Sequence, residues 1–274
     1  GAARFDRAVA AFRHLEDIEA RLPALPTPGG GQTRRELPAL REVRVAIEQA
    51  VQTPHGWRCQ RPRIDVLNSK FLIDLVHADG RRQELQLAQL SDGFRTHLAL
   101  VMDLALRMVQ CNPPQQDGPQ DGLGIRSQAV ALIDEVDLHL HPQWQWTVLT
   151  GLLAAFPRCQ FVVTTHSPQV MASVRAGAVY KLREDAAGAP TLEEVRTYGK
   201  DPNATLTEDM DTGERPAAVQ EQFTEIHRLL DEDRFPEAEA AIERLQEELG
   251  HDDAALVGLR TDLLLLRTDG HEEP

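Results

Sequence analysis

The sequence predicts an α/β fold in which crossover helices join parallel strands, followed by a small C-terminal helical region. Two short apolar runs, 129–133 and 161–165, support the first part because one helical segment, 143–155, separates them. Strand, helix and strand at this spacing are typical of a βαβ unit with a right-handed crossover. The second part rests on three segments whose apolar residues recur at helical spacing: about 217–231, 236–248 and 252–267.

Upstream of the βαβ unit, helices alternate with short strands. Amphipathic or apolar spacing without internal breakers predicts helices at 2–21, 38–51 and 94–109. Runs of β-branched and apolar residues predict strands at 64–67, 71–76 and 84–87, and a later hairpin formed by 179–183 and 192–196. Proline- and glycine-rich composition predicts loops at 22–37 and 111–124.

Changes in composition divide the chain into four regions. Residues 1–83 form a helical and β-hairpin segment, and 84–198 form the α/β region. The polar, turn-rich stretch 199–216 is a linker. Residues 217–274 form a helical region that we expect to serve in docking or oligomerisation.

Composition narrows the classes of function. The formal net charge of −14 does not indicate a nucleic-acid-binding surface, although a local basic patch in the first two thirds remains compatible with it. The three cysteines are widely spaced, which argues against a disulfide framework and fits a reducing cytoplasm. No apolar run is long enough to span a membrane, and no secretion signal opens the chain.

A loop directly before the predicted helix 94–109 reads Leu-Ser-Asp-Gly over residues 90–93. The free N–H groups at a helix start favour a phosphate. Ser91 adds a hydroxyl, and Gly93 allows close approach to the backbone. Taken alone, a serine at this place is more often an ordinary N-cap, so this motif gains weight only beside others.

Paired acids follow the first strand of the βαβ unit. Because ligands bind at the carboxyl edge of open α/β sheets, Asp134 and Glu135 would lie where a nucleotide binds. Asp134 could hold Mg²⁺ through water, and Glu135 could polarise an attacking water molecule. The alternative is that both acids cap the next turn.

His166 follows the second strand and, since the strands are parallel, emerges at the same edge as Glu135. An imidazole there can hydrogen-bond a γ-phosphate or position water. By itself it could equally be a turn histidine with its hydrogen bonds satisfied locally. The order of the three motifs along the chain favours the functional interpretation of all three.

In that order the motifs resemble those of a known family. LSDG looks like the signature motif of ABC ATPases, ALIDE like their Walker B motif with its catalytic glutamate, and TTHS like their switch histidine. The stretches DEVDLHLHPQWQ and QFVVTTHSPQV resemble AAA-like ATPases of the ABC superfamily, related to the overcoming-lysogenisation-defect, RecF and SMC types. Within that group the chain is most similar to the ATPases of Septu-type and retron-associated anti-phage defence systems.

The resemblance implies that the chain is the C-terminal lobe of an ABC-type ATPase that uses ATP and Mg²⁺ and dimerises. ATP would then lie between the phosphate loop of one subunit and the signature loop of another. Ser91, Asp92 and Gly93 would contact a nucleotide held by a neighbour. The nucleotide of the same subunit would be served by Asp134 as the Mg²⁺ residue and by Glu135 and His166 as catalytic residues.

The same resemblance places Asp137, His139 and His141 in the D-loop at the dimer interface. His139 and His141 also form a His-x-His pair, which leaves a zinc site as an alternative. No further His, Cys or Asp stands at ligand spacing in the sequence to complete such a site.

The chain departs from the family pattern because it contains no phosphate loop of the form G-x-x-x-x-G-K-[ST]. Gly29, Gly30 and Gly31 precede no lysine, and Lys200 is not followed by Ser or Thr. We expect the loop to lie in an N-terminal lobe outside this chain, through truncation, cleavage or a split gene product. The isolated chain would then be inactive.

The function that the resemblance implies is a dimeric, ATP-hydrolysing switch that controls an effector in bacterial anti-phage defence. The expected partners are a further copy of the chain, an HNH-type nuclease and a reverse transcriptase with its non-coding RNA. One alternative is a RecF- or SMC-like DNA-repair ATPase that binds DNA directly and needs a basic face. Another is a structural partner without ATPase activity.

Overall fold

Helices and small sheets alternate through the first part of the chain, and helices alone follow. The computed structural model separates these parts into two units, Gly1–Thr205 and Leu206–Pro274. The residues that the structure describes are 2–26, 32–33, 35–51, 56–65, 68, 70–115, 122–175, 179–213, 215–250 and 253–269. Gly29, Gly30 and Gly31, and the middle of the predicted loop 111–124, lie outside them.

The elements of the first unit include most of the predicted ones, but the predicted loop 22–37 contains a short antiparallel strand pair, Leu25–Pro26 with Gln32–Thr33. Its helices are α1 (Ala2–Arg21), α2 (Pro38–Ala50), α3 (Asp92–Cys111), α4 (Pro142–Gln145), α5 (Val148–Ala155), α6 (Pro168–Ser173) and α7 (Pro202–Ala204). Its strands are β1 (Leu25–Pro26), β2 (Gln32–Thr33), β3 (Trp57–Asp65), β4 (Lys70–His77), β5 (Arg82–Gln86), β6 (Ala129–Ile133), β7 (Cys159–Val163), β8 (Tyr180–Glu184) and β9 (Pro190–Glu194). The described part of the chain is therefore a mixed α/β structure.

The core of this unit forms where α1 and α2 pack against α3 and where α5 packs against α2. Phe12, Leu98 and Met102 are completely buried there, and each such side chain stabilises the fold by roughly 1.5–3 kcal/mol. The carbonyl oxygen of Ala50, at the end of α2, is a point of close contact. His97 Nε2 lies 3.3 Å from this oxygen, and a Cβ at Gly151 would lie 2.4 Å from it.

Strands β3, β4 and β5 form an antiparallel sheet just before α3. Residues 64 and 65 of the predicted strand 64–67 are the end of β3, which begins at Trp57, and residues 66 and 67 lie outside the described residues. Two features hide its first half from pattern analysis. Arginines occupy its outer side, and a bulge between Gln60 and Arg63 breaks the alternation. Within the bulge Arg61 has a left-handed backbone with φ of 50°, and its N–H donates to Glu48 Oε1 at 3.0 Å.

The predicted parallel pair is confirmed, since β6 and β7 pair in register from Ala129 with Cys159 to Ile133 with Val163. The helix predicted over 143–155 is interrupted and becomes α4 and α5. At the break, Trp144 O accepts hydrogen bonds from both the N–H and the hydroxyl of Thr147. A hydroxyl that bonds to the backbone in this way competes with the helical hydrogen-bond pattern.

The second unit contains α8 (Ala217–Asp231), α9 (Phe235–Leu249) and α10 (Ala254–Asp269), as predicted. Its core consists of Phe223, Ile226, Leu229, Leu230, Ala238, Ile242, Leu245, Leu256, Leu259 and Leu263. Arg215 forms two hydrogen bonds with Asp253, whose side chain also caps the start of α10 through the N–H of Ala255. The bond from Arg215 is the main reason that the pKa of Asp253 is lowered to about 2.

The stretch predicted as a linker, 199–216, includes α7 and a π-helical turn at Thr205–Asp209, so part of it is regular. The four-part division of the chain stays a prediction. Among the described residues, no helix combines the length and apolar character needed to cross a membrane. Cys59, Cys111 and Cys159 are all free.

Candidate functional site

The two segments that follow β6 and β7 lie side by side at the carboxyl edge of the parallel pair. Thr164 N donates to Ile133 O, and Val136 N donates to Thr164 O, both at 3.0 Å. The backbone pairing of the strands thus continues into the two turns. It brings the predicted acids of one turn next to the Thr-Thr-His sequence of the other.

Thr164 connects the two acids that the sequence predicts as functional. Its hydroxyl donates to Asp134 Oδ1 and accepts from the N–H of Glu135 at 2.8 Å. This second bond fixes Glu135 in a left-handed backbone with φ of 50°, a conformation that a non-glycine residue rarely adopts. Asp134 and Glu135 are both exposed, so both carboxylates face solvent at this edge.

Thr165 makes the equivalent contact one residue further on. Its hydroxyl donates to Asp137 Oδ1 and accepts from the N–H of Ser167 at 3.0 Å. His166 follows the two threonines directly in the sequence and is exposed. The structure therefore brings Asp134, Glu135 and Asp137 into contact with the turn that holds His166. The sequence analysis expects Asp134, Glu135 and His166 at this edge and assigns Asp137 to the dimer interface, and the roles of all four stay predictions.

Gln145 is a further connecting residue that sequence analysis does not single out. Its Nε2 donates to Leu140 O at 3.0 Å, and its Oε1 accepts from Ser167 Oγ at 2.8 Å. One amide side chain thus connects the end of the segment after β6 with the segment after β7. The residue type does not identify Gln145 as functional, because Gln is common on helix surfaces. The sequence marks it only by its place in the stretch that resembles the family.

The Leu-Ser-Asp-Gly loop, residues 90–93, contacts the same region through Gly93. Gly93 is buried, and a Cβ built on it would lie 2.3 Å from His139 O. His139 itself has a left-handed backbone with φ of 64°. The backbone after β6 therefore makes a close approach that requires a glycine at position 93. The contact of Gly93 with a neighbour's nucleotide stays a prediction.

Ser91 and Asp92 have local partners at the start of α3. Ser91 is the N-cap, and its hydroxyl accepts from Phe94 N at 3.3 Å. Asp92 forms an ion pair with Arg95. Both Ser91 and Asp92 are exposed. The contact with a neighbour's nucleotide remains a prediction for these residues.

His141 also acts as a cap, because its Nδ1 accepts from Gln143 N at 3.3 Å at the start of α4. In the part of the chain that the structure describes, no group of three or more His, Cys, Asp and Glu side chains is placed to hold a metal ion. A magnesium ion fits this arrangement, since Mg²⁺ usually keeps several waters and binds one or two carboxylates plus phosphate oxygens. Asp134, exposed and oriented by Thr164, would supply the carboxylate.

One face of the parallel pair is open. Val130, Leu132 and Val162 are 66%, 78% and 51% exposed, whereas the alternate residues of both strands pack on the core. Parallel sheets are normally covered on both faces. The apolar face defined by Val130, Leu132 and Val162 is therefore available for a further segment to cover.

Removal of the Thr164 hydroxyl tests whether it positions the acids. In a complete protein that hydrolyses ATP, Thr164→Val should raise the Mg²⁺ concentration for half-maximal hydrolysis about 10–100-fold, because outer-shell partners tune metal affinity by that amount. Thr164→Ser should restore the wild-type Mg²⁺ dependence, and Thr191→Val on β9 serves as a control. An unchanged Mg²⁺ titration for Thr164→Val would show that the hydroxyl has only a structural role.

Residues 61–172 match a family model described as "AAA domain, putative AbiEii toxin, Type IV TA system". The chain is 42% identical over 111 residues to the "Retron Ec83 probable ATPase" of Escherichia coli, which covers 40% of this chain and 19% of that protein. It is 37% identical over 141 residues to the "Retron Vc95 probable ATPase" of Vibrio cholerae serotype O1 biovar El Tor, covering 51% of this chain and 26% of that protein.

A third relative is the Septu protein PtuA of Bacillus mycoides (strain KBAB4), 34% identical over 100 residues, which covers 36% of this chain and 13% of that protein. The chain thus spans about a quarter or less of the length of these relatives. A solved structure described under ATP-driven dimerisation and DNA-stimulated activation of SMC ATPases aligns at 16% identity with a TM-score of 0.39, covering 64% of this chain and 92% of that one. That similarity is too low to establish a common fold.

The matched residues 61–172 include the Leu-Ser-Asp-Gly loop, both strands of the parallel pair and the turns that follow them. The resemblance predicted from these motifs is confirmed: residues 61–172 match the AAA-domain family model, and the chain is similar to retron ATPases and Septu proteins.

Proposed function

We propose that this chain is the C-terminal lobe of an ABC-type ATPase that works as a dimeric switch and controls an effector nuclease in anti-phage defence. The observation that supports it is the edge of the parallel pair, where Thr164 connects Asp134 and Glu135 to the turn that holds His166. The names of the relatives support the defence setting.

The proposed reaction is the hydrolysis of ATP to ADP and phosphate. Glu135 accepts a proton from water as the water oxygen attacks the γ-phosphorus and the bond to the β–γ bridging oxygen breaks. His166 donates a hydrogen bond to a γ-phosphate oxygen. Asp134 holds Mg²⁺ through water, and when bound the ion neutralises charge on the β- and γ-phosphates. Ser91 and Asp92 would contact the nucleotide of a second subunit.

The open apolar face supports the proposal that another lobe completes this one. A phosphate loop is needed to hold the nucleotide in such enzymes, and this chain contains no such motif. The relatives are several times longer than the matched region. In this proposal, the lobe that carries the phosphate loop packs on the face formed by Val130, Leu132 and Val162.

The remaining partners follow from the predicted interfaces. Asp137, His139 and His141 would face a second copy across the dimer interface. The C-terminal unit would dock the effector or a further copy, since Val257, Leu264 and Leu265 leave apolar side chains exposed on α10. An HNH-type nuclease, and a reverse transcriptase with its non-coding RNA, are the effector partners that the proposal names.

The proposal is tested by comparing this chain with a complete protein that carries a phosphate loop. We expect Mg²⁺-dependent ATP hydrolysis from the complete protein, none from chain 1–274 alone, and recovery when the missing lobe is supplied separately. Pull-down of the complete protein with the nuclease encoded beside it should succeed. Hydrolysis by chain 1–274 alone would disprove the requirement for a second lobe, and failure of the complete protein to hydrolyse ATP would disprove the switch.

A further inference from the structure

The outer side of the β3–β4–β5 sheet carries a concentration of arginines. Side chains directly opposite each other in antiparallel strands lie on the same side of the sheet. Cys59, Phe71 and Ile73 belong to the core and mark the inner side. The outer side is then formed by four cross-strand rows: Arg58–Val76–Arg82, Gln60–Asp74–Glu84, Arg63–Leu72–Gln86 and Asp65–Lys70.

The bulge in β3 adds a fourth arginine to this side. Arg61 Nη1 lies 3.5 Å from Asp74 Oδ2, although an uninterrupted strand would alternate it to the inner side. Its left-handed backbone is unfavourable for a side chain as large as arginine. The strained backbone of the bulge thus places Arg61 on the outer side of the sheet, together with Arg58, Arg63 and Arg82. We call these four residues the arginine face.

One buried carboxylate organises the arginine face. Asp74 accepts from Arg63 Nη2 at 3.1 Å and from Arg82 Nη2, and its side chain is 2% exposed beneath the guanidinium groups. Burial raises its pKa, but the hydrogen bonds from Arg82 and Arg63 outweigh burial and lower it. The carboxylate of Asp74 therefore holds the guanidinium groups together against their mutual repulsion.

The positive charge exceeds what the acids of this side neutralise. Glu84 pairs with Arg63, and Asp74 contacts Arg61, Arg63 and Arg82. Asp65 and Lys70 lie opposite each other and cancel, while Arg58 adds a further cation. A guanidinium has five N–H donors, so Arg61 and Arg82, 62% and 48% exposed, keep donors that face solvent. This excess stands out in a chain with a formal net charge of −14.

The spacing of the cations identifies the class of ligand. Arg58 and Arg82 flank Val76 on opposite sides, so their backbones are about 10 Å apart, twice the distance between neighbouring strands. That span exceeds one phosphate group but suits consecutive phosphates of a polymer. Four arginines, whose planar forks match phosphate oxygens better than lysine does, fit the same ligand.

We propose that the arginine face binds the phosphodiester backbone of a nucleic acid without reading its sequence. This inference is independent of the ATPase activity proposed above, and its test requires no ATP. The bound strand would lie across β3, β4 and β5, with contacts from Arg58, Arg61 and Arg82. Asp74 acts as a positioning residue that keeps the guanidinium groups in place.

Fluorescence anisotropy with labelled DNA and RNA oligonucleotides of mixed sequence, single-stranded and duplex, measures this binding at several salt concentrations. The double variant Arg58→Gln/Arg61→Gln should weaken binding and reduce the slope of log K against log salt by about 2, since each phosphate contact contributes about 0.9 on duplex DNA. Gln60→Lys, which adds a cation in the row of Asp74, should strengthen binding and steepen the slope by about 1.

A matched control removes the same charge elsewhere. Arg107→Gln/Arg126→Gln changes exposed arginines on α3 and in the turn before β6 and should leave the salt slope unchanged. Equal loss in both double variants would show a general charge effect and overturn the proposal, as would absence of binding to every oligonucleotide. Tighter direct binding of poly-glutamate than of every oligonucleotide, at matched charge and salt, would assign the face to an acidic protein instead and overturn the proposal.

Discussion

Glutamine in place of Glu135 is expected to lower ATP turnover by the complete protein about 10²–10⁴-fold, the usual contribution of a general base. The two side chains have the same shape, but an amide cannot accept the proton of the attacking water. The contact that fixes residue 135 is made by its backbone N–H with Thr164, so the local structure should survive the change. Affinity for ATP and dimer formation should therefore stay at wild-type levels.

Single-turnover hydrolysis and equilibrium binding of a fluorescent ATP analogue separate these effects. Glu194→Gln, an equivalent change at an exposed position of β9, provides the control and should leave both unchanged. Turnover within a few-fold of wild type in Glu135→Gln would assign the proton transfer to another group. Loss of ATP binding together with turnover would instead show that Glu135 maintains the site.

Alanine in place of Gly93 is expected to destabilise the first unit by about 1–3 kcal/mol, the typical cost of overpacking. In the first turn of α3 alanine would otherwise gain up to about 1 kcal/mol in helix propensity. The clash decides the sign, because the new Cβ would lie 2.3 Å from the carbonyl oxygen of His139 and a backbone atom cannot rotate away. The segment after β6, which holds the acids, must shift to relieve it.

Urea unfolding followed by tryptophan fluorescence measures this effect in the first unit, because Trp57, Trp144 and Trp146 all lie there. Gly151→Ala is the matched control, since its Cβ would lie 2.4 Å from Ala50 O, in the helical core. Both variants should lose stability, but only Gly93→Ala should also alter ATP turnover. Wild-type stability in Gly93→Ala would show that the two backbones separate at little cost.

Gly258→Ala extends the comparison to the second unit. Gly258 lies within α10, and a Cβ there meets nothing within 4 Å. The same exchange should therefore stabilise that unit by up to about 1 kcal/mol through helix propensity. Opposite signs for one substitution at residues 93 and 258 would confirm that the clash, and not glycine itself, sets the result.

Sequence analysis predicts the parallel pair and the acids at its edge well because the signals are local. Ala129–Ile133 is an uninterrupted apolar run, and Asp134 and Glu135 follow it directly. The edge of a parallel sheet then fixes which residues meet. The roles of Thr164 and Gln145 could not be predicted, since a hydroxyl or an amide acquires its role only from partners elsewhere in the sequence.

The arginine face escaped prediction for a different reason. Its members come from two strands, β3 with its bulge and β5, and the first half of β3 lacks the apolar alternation that identifies a strand. Gly93 shows a third limit. Its sequence context suits an approaching phosphate, whereas the structure supplies a carbonyl from residue 139, which no local pattern contains.

The buried His97 makes the first unit sensitive to acid. Burial lowers its pKa, despite the contact with Ala50 O that raises it, so the folded protein keeps this imidazole neutral below its usual pKa of about 6.5. The unfolded chain takes up the proton first. The contribution of His97 is therefore complete above about pH 6.5 and declines as the pH falls, by at most about 1.4 kcal/mol per pH unit, until the folded form is protonated as well.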